Sequence, residues 1–335
     1  MKKNCYIIAE AGLNHNGSLE IAKKLIDIAS TAGADAVKFQ KRTVSKLTTP
    51  ALLDSEDNRF PSFGKTYRQI REHLEFDEEQ YKVLKNYTKL KKLDFIVTAF
   101  DIEAFDFLYN LGIDKFKFAS HSLTNLDLLN YASKKKVSVI LSTGMSEISE
   151  IDTAVNIFKM NNCPISILHC VSSYPTPYNE CNLAFMDVLK DRYAIKTGYS
   201  GHEIGYLPTL TAVAKGAEII ERHYTLDTSM EGFDHKISLN PSDFTDMIKK
   251  IREIQNIVGD GTKQVSETEM ITRNKYHVSM VAIKDIKIGE ILDENMIEYK
   301  NPGTGIPPKM ANLVIGKQAK ENIPADSLLN IKMFR

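Results

Sequence analysis

The amino-acid sequence predicts an α/β protein: an eight-stranded TIM (β/α)8 barrel followed by a small second domain rich in short strands. Eight apolar, strand-like runs are spread evenly over residues 5–226, helical patterns alternate with them, and the pattern breaks after Gly259. Alternating strands and helices are typical of a parallel sheet with right-handed crossovers. The chain has 335 residues, more than the roughly 250 that one barrel needs, so a second domain is expected.

The predicted strands share an apolar run that ends in polar residues. They are CYIIAEAG (5–12), ADAVKFQ (34–40), DFIVTAF (94–100), KFKFAS (115–120), SVILSTG (138–144), ISILHCV (165–171), AIKTGYSGH (194–202) and EIIERHYTL (218–226). Eight repeats suggest that the sheet closes into a barrel. A doubly wound open sheet is the alternative, but no GxGxxG follows the first strand to support it.

Helical patterns fill the segments between these runs. In residues 18–33, apolar residues recur at helical spacing, Ser18 is a natural N-cap and Gly33 a stop signal. Similar patterns predict helices over 101–112, 146–161, 205–216 and 240–259.

The long segment 41–76 after the second strand is predicted as a loop. Long loops on the catalytic face of a barrel usually serve function, although a solvated lid edge is the alternative. We expect the barrel domain to span residues 1–263, a polar linker 264–280 and the small domain 281–335. About 55 residues are marginal for an independent core, so this domain is expected to pack on the barrel or on a neighbouring subunit.

Composition excludes several classes of protein. The net charge is +0, which favours binding neither to nucleic acid nor to an anionic membrane. The four cysteines form no CxxC pair and no metal-ligand spacing, so we expect reduced, buried thiols. The apolar stretch near the N-terminus is short for a secretory signal and contains Glu10, and no run approaches transmembrane length. We therefore expect a cytoplasmic protein.

Polar residues cluster at the carboxyl ends of the predicted strands, where TIM barrels carry their catalytic groups. A barrel that needed only to pack would not require so many ionisable groups at one rim. The rim predicts an enzyme that takes a phosphorylated, acidic substrate together with a metal. Its residues are Glu10, Lys38, Gln40, Thr98, Lys117, Ser120, Ser142, Ser200, His202, Glu221 and His223.

Two pairs of these residues carry most of the prediction. His202 and His223 lie on adjacent strands and could bind Mn, Zn or Fe, or form a hydrogen-bonded pair without metal. Lys38 and Lys117 suggest point charges rather than the planar fork of Arg, and with the hydroxyl groups they describe a cradle for phosphate and carboxylate. Lysines salt-bridged to Glu10 or Glu221 are the alternative.

The motifs at these positions resemble those of the N-acetylneuraminate (sialic acid) synthase family. They cover most of residues 5–263, and the tail resembles the antifreeze-like (SAF) domain that follows the barrel in that family. The motifs are IIAEAGLNHNGS, ADAVKFQ, GKTYRQIREHLEF, ILSTGM, LHCVSSYPTPYNE, GYSGHEIG, ERHYTLD and GDGTK.

The resemblance implies a transferase that condenses phosphoenolpyruvate with an open-chain N-acetylated amino sugar and water, releasing phosphate. It also implies a Mn²⁺ or Mg²⁺ ion on His202 and His223, and a domain-swapped homodimer. Glu10, Tyr174 and Glu221 are the implied catalytic residues, and Gln40, Glu221 and Asp234 contact the sugar. The implied phosphoenolpyruvate-binding residues are Lys38, Thr98, Lys117, Ser120, Ser142, Ser172, Tyr174 and Ser200.

The natural acceptor stays open at this point. N-acetylmannosamine or its 6-phosphate is the first expectation, and a 2,4-diacetamido-6-deoxy sugar, used for legionaminic or pseudaminic acid, is the alternative. A barrel that has lost catalysis and serves as a binding module is an alternative of another class. The tail departs from the family at Asn301, where some members carry an Arg that reaches the sugar of the partner barrel.

Overall fold

The computed structural model describes residues 5–335 and divides into two compact units, of which the first ends at Asp260 and the second is Gly261–Arg335. The predicted barrel is confirmed, because eight parallel strands close on one another in sequence order. Each predicted run contains or overlaps one strand. These strands are β1 (Tyr6–Gly12), β2 (Ala36–Lys41), β3 (Asp94–Ala99), β4 (Lys115–Phe118), β5 (Ser138–Ser142), β6 (Ile165–Cys170), β7 (Thr197–Gly201) and β8 (Ile219–His223).

The first unit contains ten α-helices in its described part. They are α1 (Leu19–Ala32), α2 (Pro50–Leu53), α3 (Tyr67–His73), α4 (Glu78–Leu90), α5 (Ile102–Asn110), α6 (Leu126–Ser133), α7 (Ile148–Met160), α8 (Phe185–Tyr193), α9 (Leu207–Ala214) and α10 (Pro241–Val258). The five predicted helices correspond to α1, α5, α7, α9 and α10. The predicted caps of α1 are also confirmed: Ser18 accepts a hydrogen bond from the Ile21 N–H, and Gly33 has a left-handed φ of 84°.

The prediction of a plain loop over residues 41–76 is wrong. The segment contains α2 and α3, and an apolar cluster of Leu13, Ile70 and Leu74 with Phe60, Phe63 and Phe233 joins it to the loops after β1 and β8. Burial of these side chains holds the segment at the carboxyl end of the barrel. It is therefore a structured part of the barrel mouth.

Two layers of inward-facing side chains lie one above the other in the barrel. The lower layer is apolar and buried, and it consists of Ile8, Ala36, Ile96, Ile140, Leu168 and Ile219. Side chains alternate between the two faces of a strand, so the residues two positions further on also point inward. Those residues are Glu10, Lys38, Thr98, Ser142, Cys170 and Glu221. The apolar layer thus lies beneath a polar layer at the carboxyl end.

The second unit is the predicted small β-rich domain. Strands β9 (Ser279–Ala282) and β10 (Ile297–Lys300) pair antiparallel, and a core that includes Met280, Leu292 and Leu329 is buried beneath them. The segment 264–280, predicted as a linker, contains helix α11 (Glu267–Tyr276). This helix buries none of its residues, which explains why its sequence lacks an apolar stripe.

In the part of the chain from residue 5 onward, no helix combines the length and the apolar character needed to cross a membrane. All four cysteines are free and buried, as predicted. The cytoplasmic location stays a prediction.

Candidate active site

A cavity of about 320 Å³ opens at the carboxyl end of the barrel. Every site residue predicted from the sequence contributes to its lining. These residues are Glu10, Lys38, Gln40, Thr98, Lys117, Ser120, Ser142, Ser172, Tyr174, Ser200, His202, Glu221, His223 and Asp234. They come from all eight strands or the loops that follow them, so closure of the barrel brings together residues more than 200 positions apart in sequence.

Two buried lysines and two buried carboxylates form the floor of this cavity. Lys38 Nζ lies 2.9 Å from Glu10 Oε2 and 3.6 Å from Glu221 Oε1, and it donates to Thr98 Oγ1 at 3.0 Å. Lys117 Nζ lies 3.3 Å from the same Glu221 oxygen. The salt bridges considered as an alternative are therefore present, and they leave the lysines on the surface of the cavity.

The two lysines differ in how firmly they hold their protons. Burial opposes the charge on Lys38, but Glu10 and Glu221 outweigh it and raise the pKa of Lys38 above its ordinary value. Burial lowers the pKa of Lys117, with Lys38 adding to the effect and Glu221 opposing it. Burial alone would raise the pKa of Glu221, but Lys117, Lys38 and His223 together lower it to about 2. Glu221 is therefore ionised at neutral pH.

A cluster of hydroxyl groups lines the same cavity as Lys117. The Gly144 N–H donates to Ser120 Oγ at 2.9 Å, and Ser142 Oγ is buried without a hydrogen-bond partner. A Cβ placed on Gly144 would lie 2.3 Å from Ser172 Oγ and 2.8 Å from Ser120 Oγ. Glycine at 144 thus lets these hydroxyl groups converge, and the unpartnered donor suits an oxyanion.

Glu10 and Asp234 converge with His223 near Gly12. A Cβ on Gly12 would lie 3.2 Å from Asp234 Oδ2, 3.3 Å from Glu10 Oε1 and 3.3 Å from His223 Cε1. Gln40 Nε2 donates to Glu10 Oε1 at 2.7 Å. Glycine, whose φ here is +53°, leaves room for two carboxylates beside one imidazole.

His202 and His223 face one another, with ring centroids 5.6 Å apart. His202 Nδ1 lies 2.9 Å from the Val171 carbonyl oxygen. A carbonyl can only accept, so Nδ1 carries a proton, and in the neutral imidazole Nε2 keeps its lone pair. The ring of Tyr174 lies over that of His202 at 4.2 Å between centroids, and this exposed side chain lines the cavity.

The sequence-based prediction missed two cations of the cavity. Arg42, just beyond β2, and Arg71 on α3 both contribute to the lining. The interpretation as point charges concerns Lys38 and Lys117 alone, and the cavity also contains guanidinium groups. Arg42 Cζ lies 3.9 Å from the centroid of the Phe100 ring. The ring centroid of His121 lies 5.6 Å from the same point. Alternation along β2 could have revealed Arg42, which continues the series Lys38 and Gln40.

Comparisons with known proteins agree with this geometry. The NeuB family matches residues 25–263, and the SAF domain matches residues 277–335. The chain is 41% identical to the N,N'-diacetyllegionaminic acid synthase of Campylobacter jejuni, over 98% of this chain and 99% of the relative. It is 33% identical to the human N-acetylneuraminate-9-phosphate synthase, over 97% of this chain and 91% of the relative.

A solved structure supports the same assignment. The sialic acid synthetase of Leptospira borgpetersenii superposes with a TM-score of 0.71 and 36% identity, covering 80% of this chain and 90% of the other. The NeuB match spans more than half of the chain, and the relatives are named as synthases. The chain is therefore an enzyme that belongs to the NeuB family of sialic acid-type synthases, with a SAF domain at its carboxyl end.

Proposed function

We propose that the chain condenses phosphoenolpyruvate with N-acetylmannosamine, or its 6-phosphate, and water. The products are N-acetylneuraminate, or its 9-phosphate, and inorganic phosphate. The single observation that carries this proposal is the floor of the cavity, where two buried lysines lie with two buried carboxylates and the unpartnered hydroxyl group of Ser142. Such a floor supplies charge-assisted hydrogen bonds to a small substrate that carries both phosphate and carboxylate.

The floor divides into two parts that suit the two anionic groups of phosphoenolpyruvate. Lys117 with Ser120, Ser142 and Ser172 would hold the phosphate, because these groups converge around Gly144. Lys38 and Thr98, which are joined by a 3.0 Å hydrogen bond, would hold the carboxylate, together with Ser200, which donates to Glu221 Oε1 at 3.1 Å. Bound in this way, phosphoenolpyruvate presents its C3 atom to the acceptor.

The carboxylates then guide the reaction. In the proposed sequence, C3 of phosphoenolpyruvate forms a bond to the aldehyde carbon of the sugar, whose oxygen takes a proton. Water adds at C2, and the C2–O bond to phosphate breaks. Glu10, held by Lys38 and Gln40, is placed to orient the sugar or to accept a proton from the water. Asp234 and Gln40 would contact the sugar, and Tyr174 would cover it from the mouth.

The residues at the mouth fit a divalent metal ion. In its neutral form His202 presents the lone pair of Nε2, because Nδ1 donates to Val171, and His223 Nδ1 is buried without a hydrogen-bond partner. Over residues 5–335, no group of three or more His, Cys, Asp or Glu residues could hold an ion alone. The two histidines would thus leave coordination positions for water and substrate. A bound Mn²⁺ or Mg²⁺ ion would supply Lewis-acid polarisation of the aldehyde.

A second acceptor has a specific observation in its favour. The 41% identical relative is named as an N,N'-diacetyllegionaminic acid synthase, which favours a 2,4-diacetamido-6-deoxy sugar. Both candidates require the same chemistry at phosphoenolpyruvate. They differ in the substituents that face the outer part of the cavity.

The test supplies the enzyme with phosphoenolpyruvate, Mn²⁺ and each candidate sugar in turn, and measures phosphate release and product mass. We expect release that depends on one of these sugars. No release with any of them would contradict the proposed reaction. Phosphoenolpyruvate labelled with ¹⁸O at the bridging oxygen should send the label into phosphate, whereas label in the sugar product would indicate P–O cleavage.

The assembly is a further part of the proposal. A domain-swapped homodimer is implied by the resemblance of the tail to the SAF domain. Light scattering on the full chain measures its mass directly. A monomer at assay concentrations with full turnover would contradict the swapped arrangement.

A further inference from the structure

Arg42 and Arg71 lie in the outer part of the cavity, away from the lysines at its floor. Lys38, Gln40 and Arg42 are two residues apart, and all three line the cavity. Two steps of two residues advance roughly 13 Å along an extended strand. The series therefore runs from the proposed phosphoenolpyruvate site, past a proposed sugar contact, to a guanidinium group.

The surroundings of Arg42 hold its guanidinium group in place without fully neutralising it. Its Nη2 donates to Gln40 Oε1, and its planar group stacks on Phe100 at 3.9 Å. Its Nη1 is buried without a hydrogen-bond partner and is 4.0 Å from Glu75 Oε1. Glu75 itself lies 3.0 Å from Lys41, so that its charge is shared.

Arg71 is held by aromatic rings instead of by a carboxylate. Its guanidinium group lies 4.2 Å from the Phe233 ring and 4.9 Å from the Tyr67 ring. Within residues 5–335 it forms no ion pair within 4.0 Å, and its Nε has no hydrogen-bond partner. Such contacts orient a cation and leave its charge available to a ligand.

The charges around the two arginines do not cancel. The pKa of Arg42 is lowered to about 10 by burial and by the positive charge of Arg71, with Glu75 and Asp234 opposing. Asp234 lies 3.9 Å from His223 Nδ1 and Glu75 is shared with Lys41. Two guanidinium groups that line one cavity wall with no carboxylate of their own to neutralise them fully are suited to an incoming anion.

We propose that Arg42 and Arg71 form an anion-binding subsite that selects an acceptor with a phosphate monoester at the end remote from its aldehyde. This inference rests on the proposed function, since it assigns one part of the same cavity to the acceptor. It favours N-acetylmannosamine 6-phosphate over N-acetylmannosamine and over the neutral 2,4-diacetamido sugar. Arg42 and Arg71 are then residues that determine specificity.

The test compares kcat/KM for the phosphorylated and neutral acceptors in the wild type and in Arg71→Gln, Arg71→Lys and Arg42→Gln. Arg68→Gln is the matched control, because Arg68 is on the same helix but pairs with Asp54 outside the cavity. Loss of a charge-assisted contact should lower kcat/KM for the phosphorylated acceptor roughly 10- to 100-fold in Arg71→Gln. The neutral acceptor and the control should change little, and Arg71→Lys should be intermediate.

Two outcomes would contradict the proposed subsite and leave the proposed reaction unaffected. One is a wild type that releases phosphate faster with a neutral acceptor than with N-acetylmannosamine 6-phosphate. The other is an equal loss on both acceptors in Arg71→Gln. Absence of turnover with every sugar would overturn the proposed function. Calorimetric titration of N-acetylmannosamine 6-phosphate would then decide on the subsite: weaker binding by Arg71→Gln supports it, and equal binding refutes it.

Discussion

The ammonium group of Lys38 and the carboxylate of Glu10 are joined at 2.9 Å in a part of the barrel where both side chains are almost completely buried. Because the two charges compensate one another, each makes the other tolerable in a medium that solvates ions poorly. The pair belongs to the polar layer of the barrel, directly above the apolar layer. It therefore links the stability of the barrel to the composition of its site.

A double-mutant cycle measures this link. Lys38→Met leaves Glu10 buried and uncompensated, which should lower the free energy of unfolding by about 3–5 kcal/mol. Adding Glu10→Gln removes the orphaned charge and should restore part of that loss, with a coupling energy of about 1 kcal/mol or more. Urea unfolding of the four proteins gives the cycle. Strict additivity of the two substitutions would contradict a compensated pair.

Gly144→Ala should damage phosphoenolpyruvate use without unfolding the barrel. The new Cβ would displace the Ser120 and Ser172 hydroxyl groups, which lie 2.8 and 2.3 Å from its position, and these side chains can rotate away. Loss of one or two hydrogen bonds to an ionised phosphate predicts a fall in kcat/KM for phosphoenolpyruvate of roughly 10- to 100-fold. Circular dichroism should show an unchanged fold, and wild-type kinetics would refute the hydroxyl cluster as a phosphate site.

The lowered pKa of Lys117 predicts that activity falls at alkaline pH. Its pKa in the folded protein is lowered below the ordinary value of 10.5, so its charge is lost on the acid side of 10.5 as the pH rises. The value of kcat/KM for phosphoenolpyruvate should then fall over that window, and Lys117→Met should lack this limb. The sign for stability is opposite: the unfolded chain binds the extra proton there, so the contribution of Lys117 to stability rises with pH up to 10.5. A limb unchanged in Lys117→Met would assign it to another group.

Removal of the metal should abolish activity and leave the fold intact. The histidines would hold the proposed ion at the mouth, and the apolar layer beneath does not include them. Chelator-treated protein should regain activity with Mn²⁺ or Mg²⁺, and His202→Ala should bind Mn²⁺ more weakly by paramagnetic resonance titration. Full turnover after exhaustive chelation would contradict the proposed metal.

Most of the barrel and its inner site could be predicted from the sequence because buried parallel strands form continuous apolar runs. The rule that functional groups follow those runs located Glu10, Lys117 and His223. Helix α4 was missed although Asp77 and Gln80 form a capping box at its start, a signal visible in the sequence. Arg71 is different, because its place at the cavity depends on the packing of Phe60, Phe63 and Phe233. Contacts between distant segments of this kind leave no local pattern.

The apolar layer of the barrel has a consequence for how such a site can diversify. Ile8, Ile96 and Leu168 fix the strand register from below, whereas Arg71 and its aromatic neighbours belong to a segment inserted between β2 and α4. Under the proposed subsite, substitutions in that insertion would change which sugar is accommodated and would leave the hydrogen-bonded ladders of the barrel untouched. A single barrel can therefore acquire a new acceptor through its outer rim, while the chemistry at its base is inherited intact.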